Sequence, residues 1–128
     1  MPKKNTSILV LLTPAIGWGI LICYFSLMPS KEVPSMLKSV QDFVLHFSIY
    51  GALSVLSFFG LTRYSFFRLP LNTALLVSVC CITLGFLIEL VQERFIPGRQ
   101  FEWSDVLFNS LGSAIVLGLN KLAPVAKL

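Results

Sequence analysis

Residues Leu71–Gln92 read LNTALLVSVCCITLGFLIELVQ, a run whose single formal charge, Glu89, comes close to its end. A helix needs about 20 predominantly apolar residues to cross a hydrocarbon core. Inside lipid the backbone must satisfy its own hydrogen bonds, and a helix does that within one segment. The run is therefore predicted to be a membrane helix. Three more runs of similar character flank it: Ile8–Met28, Val40–Leu61 and Ser104–Asn120. Together they predict an all-α, four-helix transmembrane bundle with short loops, formed as a single domain over residues 1–128.

Composition agrees. The 128 residues are 55% hydrophobic and only 12% charged, too little polarity to coat a soluble domain of this size. The net charge of +4 does not mark a nucleic-acid binder, because the basic residues punctuate the ends of apolar runs instead of forming a groove or an arm. A weak attraction to anionic headgroups is all this charge supports. Cys23, Cys80 and Cys81 fall inside apolar runs with no zinc-type spacing, and read as small packing residues. The N-terminal Lys3-Lys4 pair followed by an apolar run resembles a signal peptide. That run is too long for one and no A-x-A pattern follows it, so it is expected to remain as the first span.

Proline and charge separate the spans at residues 29–34, 63–70 and 94–102, the last containing the turn pair Pro97-Gly98. The short second connection predicts an antiparallel hairpin of spans two and three. Lys3, Lys4, Arg63, Arg68, Lys121 and Lys127 fall on one side, against Lys31, Lys38, Arg94 and Arg99 on the other, which places both termini in the cytoplasm. All six acids, Glu32, Asp42, Glu89, Glu93, Glu102 and Asp105, belong to the opposite, outward end. Pro14, near Gly17 and Gly19, predicts a kink in span one. Ser48 with Ala52, and Ser110, Ala114 and Gly118, recur every four residues and are candidates for close helix contacts.

The outward ends carry the chemistry. Asp42, His46 and Tyr50 follow one another at four-residue steps and share a helix face. At about 1.5 Å per residue, His46 lies roughly 6 Å and Tyr50 roughly 12 Å below Asp42. Span three brings Glu89 and Gln92 to the same region, and the following loop brings Arg99. Span four starts near Ser104, a candidate N-cap, with Asp105 and Asn109 on one face. Counting inward places His46, Glu89 and Asn109 at one depth. Tyr24 and Ser26 are candidates for the rim, and Trp103 reads as an interfacial anchor. Read alone, Tyr50 and Asn109 are explained by helix–helix hydrogen bonding and His46 by a satisfied interior position. A buried Glu89 must instead take up a proton or find a cationic or donor partner, for which Arg99, His46 and Gln92 are candidates. Ionisable groups within membrane segments are expensive, however, and so many in one layer of a small bundle point to a site.

Three chemistries fit the layer: a binding pocket, a His/Glu acid–base pair, or a divalent-metal site built from Asp42, His46, Glu89 and Asp105, donors suited to zinc or manganese. No H-E-x-x-H or related signature accompanies the last, so no metal is assigned from the sequence and no cofactor is expected. Proton-coupled transport is disfavoured, since the cytoplasmic halves of the spans lack ionisable residues.

The pattern Asp42-x-x-x-His46-Phe47-x-x-Tyr50, then Glu89-x-x-Gln92, Pro97-Gly98-Arg99 and Asp105-x-x-x-Asn109-x-x-Gly112, resembles the VanZ-like family of small bacterial membrane proteins. The resemblance covers spans two to four and their outer loop. One departure stands out: in the family the span-two aspartate is commonly followed by lysine, and here Phe43 takes that place. The resemblance implies a multi-pass protein of the bacterial cytoplasmic membrane acting on or near the cell envelope, with a link to glycopeptide-antibiotic resistance through the family's namesake. By matching position it singles out Asp42, His46, Glu89, Gln92, Arg99, Asp105 and Asn109.

The leading expectation is an outward polar pocket that binds or modulates a membrane lipid or lipid-linked envelope precursor. Arg99 would hold an anionic group, Asn109 and Gln92 would orient it, and His46 with Glu89 would set the charge. The alternatives are a membrane-embedded hydrolase or transferase using His46 and Glu89 on a lipid-linked substrate, and a structural subunit or scaffold. The sequence sets no oligomeric state.

Overall fold

The computed structural model describes residues 6–127, so Lys3 and Lys4, counted above toward orientation, lie outside the described residues. Seven helices follow in order: α1 Ile8–Leu11, α2 Thr13–Ser26, α3 Ser35–Ser39, α4 Asp42–Leu61, α5 Leu71–Phe95, α6 Trp103–Ser113 and α7 Ile115–Leu122. A 3₁₀ turn occupies Ser30–Glu32, and no strand is present among the described residues.

Each predicted run is helical, with informative differences at the edges. The first run breaks at Leu12 because Pro14 cannot continue a preceding helix. Pro14 sits instead in the first turn of α2, where its missing N–H costs nothing. α5 extends past Gln92 to Phe95. The fourth run divides at Ala114 into α6 and α7. Glu102 occupies the N-cap position of α6, so Ser104 lies inside the first turn and is not the cap. α3 and the 3₁₀ turn occupy the α2–α4 connection, whose Pro29 and Pro34 immediately precede them. Among the described residues α4 and α5 are long and apolar enough to cross a membrane, while α2 is apolar but shorter.

α4 is the hub. Its most extensive contact is with α6, which also packs on α5, and α2 lies against α4. The α4–α5 pair does touch, but α6 is a larger neighbour to both of them than they are to each other. The close approach occurs at Gly51 and Gly112, not at the small residues marked in the sequence. A Cβ on Gly112 would collide with the Phe47 carbonyl oxygen and lie 2.9 Å from the Gly51 nitrogen. The Ser54 hydroxyl, fully buried beside this contact, reaches the carbonyls of Gly51 at 2.9 Å and Gly112 at 3.3 Å. Gly118, by contrast, is exposed and faces open space.

The end away from the polar layer is tied by the α4–α5 loop. Arg63, Tyr64 and Phe66 hold left-handed conformations (φ 55°, 58° and 50°), costly for non-glycine residues. The loop makes several bonds in return. Arg63 donates to the Thr6 carbonyl, Tyr64 to that of Leu11, and Arg68 to those of Lys121 and Ala123. Asn120 accepts from the Leu69 N–H and donates to the Leu69 carbonyl. The start of α1, this loop and the end of α7 therefore share one end of the molecule.

Large apolar side chains, including Leu9, Ile20, Leu76, Val79 and Leu107, point outward from the helices. Cys81 is buried and Cys23 half-buried, as packing residues should be. Cys80 instead faces outward with this apolar belt.

The glycine contact is testable by thermal unfolding in detergent. Gly112→Ala forces α4 and α6 apart and is expected to cost about 1–3 kcal/mol, the range of overpacking substitutions. Gly118→Ala, with nothing within 4 Å, should leave the transition unchanged or raise it slightly.

Candidate functional site

Where α4 begins, α5 ends and α6 begins, three ionisable side chains meet. The four-residue steps along α4 turn His46 toward α6, where its Nδ1 lies 2.8 Å from the Asn109 Oδ1. The other ring nitrogen, Nε2, lies 3.4 Å from the Asp105 Oδ2. Asp105 and Asn109 are one turn apart on α6, so a single helix face holds the imidazole at both nitrogens. Glu89 enters from α5 and is only 1% exposed. Each of His46, Glu89 and Asp105 offers a donor atom within 4.8 Å of the others. The Glu89 Oε2 is buried without a hydrogen-bond partner.

Gly85, one turn before Glu89, allows this convergence. A Cβ there would stand 3.0 Å from the Asn109 Nδ2 and 3.1 Å from the Tyr50 ring. Tyr50 is itself 3% exposed and floors the cleft. That cleft, of about 130 Å³, is lined by Asp42, His46, Tyr50, Glu89 and Arg99 together with Phe25, Ser26 and Lys38. A second, wider opening on the Asp105 side is lined by Lys38, Asp42, Glu102, Ser104 and Asp105. Lys38 and Asp42 are common to both openings.

Two of the sequence candidates have other work. Gln92, 6% exposed, donates from Nε2 to the Ser26 carbonyl at 2.7 Å and does not line the cleft. Arg99 donates through Nε to the Met28 carbonyl and through Nη2 to those of Phe25 and Met28, each at 3.3 Å. Both residues therefore satisfy carbonyls at the C-terminal end of α2, where a helix has none of its own donors left and favours positive charge. Gly98, at φ 79°, makes the turn that delivers Arg99, and its backbone packs against Ser30. Asn109 positions His46 and does not line the cleft. Asp42 is exposed at the rim, outside the three-residue cluster.

Of the rim candidates, Ser26 lines the cleft, whereas Tyr24 belongs to a separate surface groove. Trp103 is exposed and packs edge-on to Phe101 at 4.9 Å, consistent with an interfacial ring. Lys38 is the residue that sequence reading missed as part of the site. It lies on α3, and the turn at Val40–Gln41 breaks any periodicity linking it to Asp42.

A family model described as VanZ/LLP1 matches residues 6–124. The chain belongs to the VanZ/LLP1 family. No curated protein and no solved structure matches it. Family membership and two helices of membrane-crossing length make this VanZ/LLP1 chain a small helical membrane protein.

The α2 clamp makes a prediction within this VanZ/LLP1 fold. Gln92→Ala leaves the Ser26 carbonyl without its donor, and the expected loss is about 1–3 kcal/mol. Arg99→Ala should cost a comparable amount, and both are expected to expose the α2 end to hydrogen exchange. Unchanged melting and exchange in both variants would contradict the clamp.

Proposed function

We propose that this protein crosses the bacterial cytoplasmic membrane four times as one domain, both termini cytoplasmic, and binds or modulates an envelope amphiphile at its outer end. α1 with α2, and α6 with α7, are each interrupted at one residue and reach lengths close to a crossing. Shared placement of the start of α1 and the end of α7 at one end supports an even number of crossings. The lysine and arginine excess supports a cytoplasmic position for that end.

The observation that carries the binding reading is the cleft between α2, α4 and α5. It combines an apolar wall (Leu37, Leu45, Ile49, Ile88) with ionisable groups at its base and Lys38 at its mouth. That combination suits a molecule with an acyl or prenyl portion and a polar, anionic head, such as a membrane lipid or a lipid-linked peptidoglycan precursor. Lys38 supplies the exposed cation; Arg99, engaged with carbonyls, shapes the wall.

A second reading is favoured by one observation: an imidazole held between an amide and a carboxylate is arranged for acid–base work. Under it the protein is a hydrolase or transferase acting on a lipid-linked substrate, with His46 and Glu89 as the reacting pair.

Native mass spectrometry of the detergent-purified protein tests the binding reading. Wild type should retain an amphiphile, and Lys38→Glu, an exposed change that leaves the core intact, should lower its occupancy several-fold. Equal occupancy in both, or none in wild type, rejects the cleft as the binding site. Turnover of a lipid-linked substrate by wild type and not by His46→Ala would establish the enzymatic reading in its place.

A further inference from the structure

We infer that His46, Glu89 and Asp105 form a binding site for a divalent metal ion of the zinc or manganese type. One imidazole nitrogen and two carboxylate oxygens, delivered by three different helices, lie within 4.8 Å of one another. Zinc bonds to nitrogen and oxygen donors are about 2.0–2.2 Å, so ligand atoms around one tetrahedral ion stand roughly 3.3–3.6 Å apart. Small side-chain rotations would close this triad on an ion. The donor set has no thiolate, which favours zinc or manganese over soft metals.

The orientation of His46 supports the same conclusion. Its Nδ1 faces the Asn109 Oδ1, an acceptor, at 2.8 Å, while the Asn109 Nδ2 is turned toward α5 at Gly85. The ring proton therefore belongs on Nδ1, donated to the amide oxygen. In the neutral ring this leaves the Nε2 lone pair aimed at a carboxylate oxygen 3.4 Å away. Two acceptors facing each other repel, and a cation between them turns the contact into an attraction. An outer hydrogen bond that fixes the tautomer of an imidazole is the usual companion of a metal-ligating histidine.

Glu89 provides the independent observation. Its Oε2 is buried without a partner in a residue 1% exposed, and it belongs to the cluster. A carboxylate oxygen in that state calls for a cation or a proton donor. Charge also selects the valence. Two carboxylates and a neutral imidazole carry two negative charges, which one divalent ion cancels. The surrounding charges, Arg99 and Lys38 against Glu102 and Asp42, already offset one another. Three protein ligands leave coordination positions open beside the cleft, where an oxygen of a phosphate or carboxylate could enter. The metal site stands on these three side chains and does not require the amphiphile proposed above.

Titration of tag-free, chelator-stripped full chain in detergent with zinc chloride and with manganese chloride, followed by calorimetry and elemental analysis, tests the site. One ion per chain is expected. Asp105→Asn and Glu89→Gln should each abolish stoichiometric binding, and Asn109→Ala should weaken it about 10–100-fold by releasing the imidazole. Glu93→Gln, exposed and outside both the triad and the cleft, should bind as wild type does. If Glu89→Gln fails to fold, Asp105→Asn decides, because that side chain is partly exposed. Clearly substoichiometric binding by wild type, or equal affinity in Asp105→Asn, overturns the inference. No amphiphile enters this titration, so its failure leaves the lipid-retention experiment to judge the binding reading separately.

Discussion

The approach of α4 to α6 governs the arrangement of everything above it. Gly112 has no side chain, so α6 can lie with its backbone against the Phe47 carbonyl and the Gly51 nitrogen. The buried Ser54 hydroxyl then reaches a carbonyl on each helix. Fixing α4 at Phe47 also fixes His46 beside it in the chain. Asn109 lies three residues before Gly112, on the same side of α6. The imidazole–amide contact is thus set by a backbone contact one turn deeper in the bundle. Side-chain bulk at Gly112 would move His46 away from Asn109 and Asp105 without touching any of the three.

A second constraint acts on α2. Its C-terminal carbonyls have no intrahelical donors, and in a membrane protein few waters are at hand to replace them. Gln92 from α5 and Arg99 from the following loop supply the donors. They bind α2 to the ends of α5 and so form one wall of the cleft. At the opposite end the α4–α5 loop does the equivalent for α1 and α7, through Arg63, Tyr64, Arg68 and Leu69. The polar residues of this chain divide on that basis. Arg63, Tyr64, Arg68, Gln92, Arg99 and Asn120 are matched to backbone groups at helix ends and loops, and their chemistry is complete within the fold. The Glu89 Oε2 is the buried side-chain atom for which this is not so among the described residues. Buried polar atoms are nearly always paired, so an unpaired one is where an account based on folding alone fails.

Periodicity and hydropathy made the helices legible, because a run of apolar residues bounded by proline and charge has one favourable solution in lipid. The shared depth of His46, Glu89 and Asn109 was legible for a related reason, because four-residue steps and depth counted from helix ends are properties of a single helix. That Asp105 meets His46 and leaves Asp42 at the rim depends on how the helices are arranged. What the sequence did not reveal depends on pairs of helices. Gly51 with Gly112 was hidden because neither belongs to a four-residue small-residue repeat with the other. Gln92 and Arg99 have the right chemistry for a ligand, and only the position of the α2 end shows that their donors are engaged. Ser104 has the right residue type for a cap, but the helix begins one residue earlier.

Lys38 shows how a charge can be supplied to the cleft from outside the motif helix. The family pattern commonly has a lysine after the span-two aspartate. Here Phe43 occupies that position and packs against Phe108, with ring centres 5.4 Å apart, on the side where α4 meets α6. A cation at residue 43 would interrupt that aromatic contact. α3 instead carries Lys38 back to the rim, where it borders both openings together with Asp42. Phe43 extends the α4–α6 seam beside His46, while Lys38 lies off that seam on a short helix with no buried residue. The seam beside His46 and the cation at the rim of the cleft thus reside on different elements, and only the first depends on the glycine contact beneath it.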